Sequence, residues 1–150
     1  MGEADGYKLE PARKVRSLDE RAKQGDLAGA ASDARKTQAA IDAATARVQS
    51  IRAAIERTRG ELREQLARST TRATASSIAI GERYLARLRR DLEAALDELD
   101  RARASHRGQL EVVDAARTRL ARARADKEIV ERHFARWRDE KRKLAERRED

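Results

Sequence analysis

Apolar side chains recur along this chain with a period of seven. Taking Leu27 as position a of a heptad, the same position is filled by Ala34, Ile41, Val48, Ile55 and Leu62. At d stand Ala30, Ala44 and Ile51, with polar Thr37 and Thr58 between them, and Leu66 follows at e. A second series starts at Ile78 and continues at a through Leu85, Leu92, Leu99, His106, Val113, Leu120, Lys127 and Phe134. Its d positions run Gly81, Leu88, Ala95, Ala102, Gln109, Ala116, Ala123, Val130, Trp137 and Leu144. A seven-residue repeat sustained this long keeps its seam facing a partner only if the helices supercoil, so it predicts coiled coil rather than globular helices.

Between the two series lies ARSTTRATASS, residues 67–77, rich in Ser and Thr and without a large apolar side chain. Ser76 or Ser77 is placed to cap the helix that follows. The pattern predicts an all-α fold, two long helices forming an antiparallel coiled-coil hairpin as one unit over 1–150. Helix one is expected over about 11–68, the turn over about 69–77 and helix two over about 78–148. A turn centred near residue 73 would bring Ile41 near Ser105, Leu27 near Arg119 and Leu18 near Lys127. At roughly 1.5 Å per residue the longer arm would span about 100 Å. Ala at so many d positions implies close helix axes and little buried area per turn, hence a slender, bendable rod. Gly25 and Gly29, each costing about 1 kcal/mol relative to Ala in a helix, are the soft points of helix one. Ser17 and Glu20 match a capping box. Whether helix one continues through this stretch or restarts within it is left open by the sequence.

Composition sharpens this picture. Charged residues make up 41% of the chain and aromatics 3%, so a thick apolar core is out of reach. There is no Cys, which excludes disulfides and thiolate metal sites and fits a reducing compartment. The opening MGEADGYKLEPARK has no apolar run of the kind a secretory signal carries. No stretch approaches the roughly 20 apolar residues of a membrane span, so no direct membrane insertion is expected. The net charge of +8 raises nucleic acid as a partner, yet the first 46 residues carry eight basic and eight acidic groups, and acids interleave with bases nearly throughout. That is the pattern of helix faces laced with ion pairs, and the residual positive charge favours acidic partners.

Chemistry is sparse. The chain has no GxxxxGK[ST], GxGxxG or HExxH motif, and His106 and His133 lack metal-ligand spacing. His106, at a, reads as a polar residue that fixes register, and Lys127, also at a, lies within reach of Asp19 or Glu20 across the pair. No catalytic residue, cofactor or metal is expected, and the chain reads as a non-enzyme.

The only Phe and Trp lie among fourteen charged residues in ERHFARWRDEKRKLAERRED, residues 131–150. Phe134 is at a and Trp137 at d, so both extend the seam and should meet the start of the chain around Tyr7, Leu9 and Pro11. They read either as a lock on a slim rod or as a partner site, since Trp, Tyr and Arg are enriched in binding hot spots. Around them Arg132, Arg136, Arg138, Lys141, Arg142, Lys143, Arg147 and Arg148 form a basic shell broken by Glu131, Asp139, Glu140 and Glu146. Such a shell suits an acidic pocket or the lumen of a ring.

The opening YKLEPARKVRSLDE, the two helices about a polar middle and the Arg- and Glu-rich end ERHFARWRDEKRKLAERRED together resemble the small stalk proteins of bacterial type III export. These are FliJ in flagella and the YscO/SctO proteins in injectisomes. The resemblance implies an antiparallel coiled coil that sits in the pore of a hexameric secretion ATPase and promotes its assembly and activity. It also implies a link to the export-gate membrane protein, export chaperones as further partners, and a cytoplasmic location peripheral to the inner membrane. Carried onto this chain, it puts Arg136, Trp137, Arg138, Lys141 and Arg142 near the ATPase. It turns Leu66, Ile78, Ile80 and Tyr84 toward the gate. The residues alone leave two other readings open. One is a generic coiled-coil scaffold or parallel dimer, the other a basic rod that binds nucleic acid with steep salt dependence.

Overall fold

The computed structural model describes residues 6–68 and 72–149. Two helices account for nearly all of them, α1 over Glu10–Arg68 and α2 over Arg72–Glu149. Ala, Arg, Glu and Leu, all strong helix formers, dominate both. Pro11 sits in the first turn of α1, where its missing N–H has no intrahelical acceptor to lose. Glu10 in that turn, Arg68 in the last turn of α1 and Arg147 and Arg148 in the last turn of α2 complement the helix dipoles. Ahead of α1, the Tyr7 carbonyl accepts the Glu10 N–H at 3.1 Å, turning the chain into the helix. α1 is continuous through Ser17, Gly25 and Gly29. Both glycines face outward, and a Cβ on either would meet nothing within 4 Å.

The helix pair, read from the sequence as one hairpin, divides into two compact units, residues 34–109 and residues 1–33 with 110–150. In the 34–109 unit the seam is apolar. Val48, Ala95 and Leu99 form one buried cluster, supported by Ile41, Ala44, Ile51, Leu92 and Leu96, and Ala95 is only 1% exposed. Ile55, Leu85 and Leu88 form a second, against Ile51, Ala54, Leu62 and Leu92. Nearly all these side chains occupy the a and d positions of the heptad frame. Buried Thr58 donates its hydroxyl to the Ala54 carbonyl at 2.8 Å and so leaves no unmet polar group. Gly81, at d, lets Leu62 close onto the α2 backbone; a Cβ there would lie 2.6 Å from the Leu62 Cδ2.

One pair of polar positions meets across this seam. The Thr37 hydroxyl donates to the Ala34 carbonyl at 2.9 Å and lies 2.8 Å from His106 Nδ1. Thr37 has one hydroxyl proton and it is committed to Ala34. His106 is therefore the donor across the pair, through Nδ1–H.

The structure departs from the sequence expectation at the turn. α2 begins at Arg72 rather than near Ile78, so residues 72–77 of the expected turn are helical, and Ser76 and Ser77 are exposed helical residues instead of caps. Residues 69–71 of that turn lie outside the described residues. The reason is local: Ser and Thr disfavour a helix interior only mildly, and no Gly or Pro stands there to stop it. The earlier start shifts the register. Thr37 meets His106, three residues nearer the turn than residue 109, which a turn centred on 73 would have brought to it.

In the unit that carries the termini, Val113, Ala116, Leu120 and Ala123 of α2 and Ala30 of α1 are buried. Here Leu18 does not face Lys127; it is 63% exposed, and Glu20 takes its place. Carrying the frame back from Leu27 puts Glu20 and Arg13 at a and leaves Leu18 on the outer face. Leu144, assigned to d, is also exposed.

Candidate partner-binding site

Tyr7, which precedes α1, packs its ring on the aromatic ridge of α2. Ring centroids lie 5.1 Å from Phe134 in an edge-on arrangement, 5.2 Å from Trp137 and 5.7 Å from His133. Phe134 and Trp137 stack at 5.7 Å. These are the separations at which aromatic quadrupoles attract. The Tyr7 hydroxyl and His133 Nδ1 share a hydrogen bond of 2.7 Å, so the buried phenol is paired. The clasp arises because Phe134 and Trp137, three residues apart on α2, share the face that the heptad turns toward α1.

Cations surround the rings. The Arg13 guanidinium lies 4.0 Å above the Phe134 centroid, while its Nε donates to Glu131 at 2.9 Å and a terminal nitrogen sits 3.6 Å from Glu10. The hydrogen bond to Glu131 is the main reason the guanidinium holds its proton more firmly than usual, with the Glu131 and Glu10 charges adding to it and burial working against it. Arg138 lies 5.9 Å from the Phe134 ring and Lys141 5.9 Å from the Trp137 ring. A hollow of about 330 Å³ opens beside the clasp, with Tyr7, Lys8, Leu9, Trp137 and Lys141 in its wall.

Of the five residues that the sequence resemblance puts near an ATPase, Arg136, Arg138, Lys141 and Arg142 are exposed on α2, and Trp137 is half-buried in the clasp. Arg142 also pairs along its own helix with Asp139 at 3.3 Å and Glu146 at 3.9 Å. The four residues that the resemblance turns toward a gate belong to the 34–109 unit. Leu66, Ile80 and Tyr84 are exposed and Ile78 is half-buried. Ile80 and Tyr84 share a hollow with Leu62 and Gly81.

The sequence reading passed over Arg13 and Arg16, but it did put Lys127 within reach of Asp19 or Glu20. Lys127 Nζ donates to Glu20 at 2.7 Å, Arg124 Nε approaches the same carboxylate at 3.4 Å, and Arg16 meets Asp126 at 3.4 Å. The Lys127 hydrogen bond holds the Glu20 carboxyl below the usual carboxylate range, against an opposing effect of burial, and Arg124 adds to it. The signal was present in the sequence, since extending the a series backward from Leu27 reaches both Glu20 and Arg13. Among the described residues no helix is long and apolar enough to cross a membrane.

No protein-family model matches the chain, and no curated protein sequence matches it. Among solved structures, the fold is similar to that of CT670 from Chlamydia trachomatis, described as a proposed YscO homologue, with a TM-score of 0.79 over 95% of this chain and 86% of that one. The two share 17% sequence identity, so the likeness is one of fold.

Proposed function

We propose that this chain is the central-stalk component of a bacterial type III export apparatus, injectisome or flagellar, working as a non-enzyme without a cofactor. It binds the hexameric export ATPase, stimulates its assembly and activity, and links it to the cytoplasmic domain of an export-gate membrane protein. The observation that carries the reading is the two-helix fold held in common, over nearly the whole chain, with a protein described as a YscO relative. The resemblance of the two chain ends to the stalk family supports it separately. In this reading the unit bearing the termini enters the ring. Arg136, Arg138, Lys141 and Arg142 present positive charge to an acidic lumen, where opposite fields strengthen encounter. Trp137 is presented by a clasp that leaves it little rotamer freedom to lose on binding. Leu66, Ile78, Ile80 and Tyr84 supply the apolar contact toward the gate, and export chaperones are further partners. The chain then works at the cytoplasmic face of the inner membrane.

The test is to add the purified chain to the cognate secretion ATPase and follow hydrolysis and hexamer formation. Stimulation of both is expected; no complex and no stimulation would remove the reading in favour of a generic coiled-coil scaffold. Replacing Phe134 and Trp137 together with Ala separates two roles. Lost thermal stability with ATPase binding retained assigns them to the clasp alone. Lost binding with helicity and stability retained assigns them to the contact.

A further inference from the structure

The two units are held together by different forces. The seam of the 34–109 unit is apolar, apart from its Thr, His and Gln positions. In the terminal unit, between the buried Ala30, Leu120 and Ala123 and the aromatic clasp, the seam runs mainly through charge, with half-buried Val130 its large aliphatic side chain. Arg13 meets Glu131 at 2.9 Å, Arg16 meets Asp126 at 3.4 Å and Glu20 meets Lys127 at 2.7 Å. Glu20 is well covered, its side chain 15% exposed, with Arg124 at 3.4 Å and Gln24 at 3.5 Å completing its surroundings. Val15 and Leu18, the large aliphatic side chains of this part of α1, point to solvent and contribute nothing to the seam.

We propose that this stretch is an ion-dependent latch. The segments 10–24 and 124–137 part when charge is screened, independently of the 34–109 unit, and in parting lift Arg13 from the Phe134 ring and loosen the cover of Trp137. The proposal goes beyond the stalk reading and does not depend on it. Charges at a and d specify a coiled coil at a cost in stability, because each ion gives up hydration that its partner only offsets. The Debye length shortens from about 10 Å at 0.1 M salt to about 3 Å at 1 M, so added salt weakens the pairs at the rim of this seam. Apolar contacts are not weakened by it.

The same charges direct reclosure. A slip of one heptad would bring Arg13 against Arg124 or Arg138 and Arg16 against Arg119 or His133, while Glu20 would face Leu120 or Phe134. Like charges oppose each other or a carboxylate loses its partner in either direction, so the latch closes in one register. That is what a reversible opening needs, since the apolar period alone does not distinguish one heptad from the next.

Hydrogen exchange of the full chain at constant pH tests this, with the fluorescence of Trp137, the single Trp, as a second probe. Between about 0.05 M and about 1 M NaCl, amides of 10–24 and 124–137 are expected to exchange at least about tenfold faster, and amides of 44–58 and 85–99 to change less than about twofold. Trp137 emission should shift to the red over the same range. The double variant Glu20→Leu with Lys127→Leu replaces the central pair by apolar contact and should lose most of this salt response. Protection across 44–58 and 85–99 in the same sample reports that each variant is folded. Equal salt response in the two units, or a Leu variant as salt-sensitive as the original, overturns the latch.

Discussion

Glu20 illustrates how one side chain sets a condition on the whole terminal unit. Its carboxyl is held below the usual range chiefly by the Lys127 hydrogen bond, and the charged groups facing it are Lys127 and Arg124 of α2. A carboxyl whose folded-state value is lowered contributes stability that is fully present above its unfolded value, about 4.3, and is lost as pH falls through the lowered folded value. In the original chain, Trp137 emission should therefore hold at neutral pH and shift in acid. Glu20→Gln, which cannot ionise, should flatten that part of the profile and weaken the unit at pH 7. Superimposable profiles for the two proteins would show that Glu20 contributes nothing. Gly25 and Gly29 give a prediction of opposite sign. Both are exposed in a continuous helix with open space around an added Cβ. Gly25→Ala and Gly29→Ala should each stabilise by up to about 1 kcal/mol, read as a higher thermal midpoint with unchanged helicity.

Along each helix, what the sequence made legible is what periodicity records. Val48, Ile55, Leu85, Leu88, Ala95, Leu99, Val113, Ala116, Leu120 and Ala123 are buried where the heptad put them. Side chains spaced by seven are forced onto one stripe, whatever partner covers it. The Glu20–Lys127 pair and the polar position of His106 were legible for the same reason. The turn was not, because a run of Ser and Thr lowers helix propensity without forbidding the helix. A strong Ala- and Arg-rich context carried α2 back to Arg72 and moved the register by three residues. Leu18 misled because hydrophobicity was read without its heptad position. The aromatic ridge was legible at Phe134 and Trp137, but its cover of Arg13 was not, since a guanidinium that both stacks and pairs looks like any surface charge in sequence. The Thr37–His106 pair offers a test at this scale. Thr37→Val alone strips His106 of its partner and should cost about 1 kcal/mol. Adding His106→Leu should restore the thermal midpoint to the original value or above it, because a matched apolar pair has no group to desolvate. If the double variant melts below the single one, the hydrogen bond is not the pair's main contribution.

For the chain as a whole, the antiparallel sense of pairing decides what can be built from it. One chain that carries both strands of its own seam needs no second copy to bury Val48, Ala95 and Leu99, and its two termini belong to the same unit. A parallel dimer with the same heptads would bury the same a and d positions against themselves, so periodicity alone does not separate the two assemblies. Polar residues do separate them. Antiparallel pairing sets His106 against Thr37, whereas a parallel dimer would set His106 against His106 and Arg13 against Arg13, with like charges facing across the seam. Two variants read out the difference by disulfide formation in dilute solution, because the natural chain has no Cys to interfere. Thr37→Cys with His106→Cys should oxidise within one chain and run as a monomer of altered mobility on a non-reducing gel. Thr37→Cys alone should stay a monomer. A covalent dimer from the single variant would require two copies side by side in parallel.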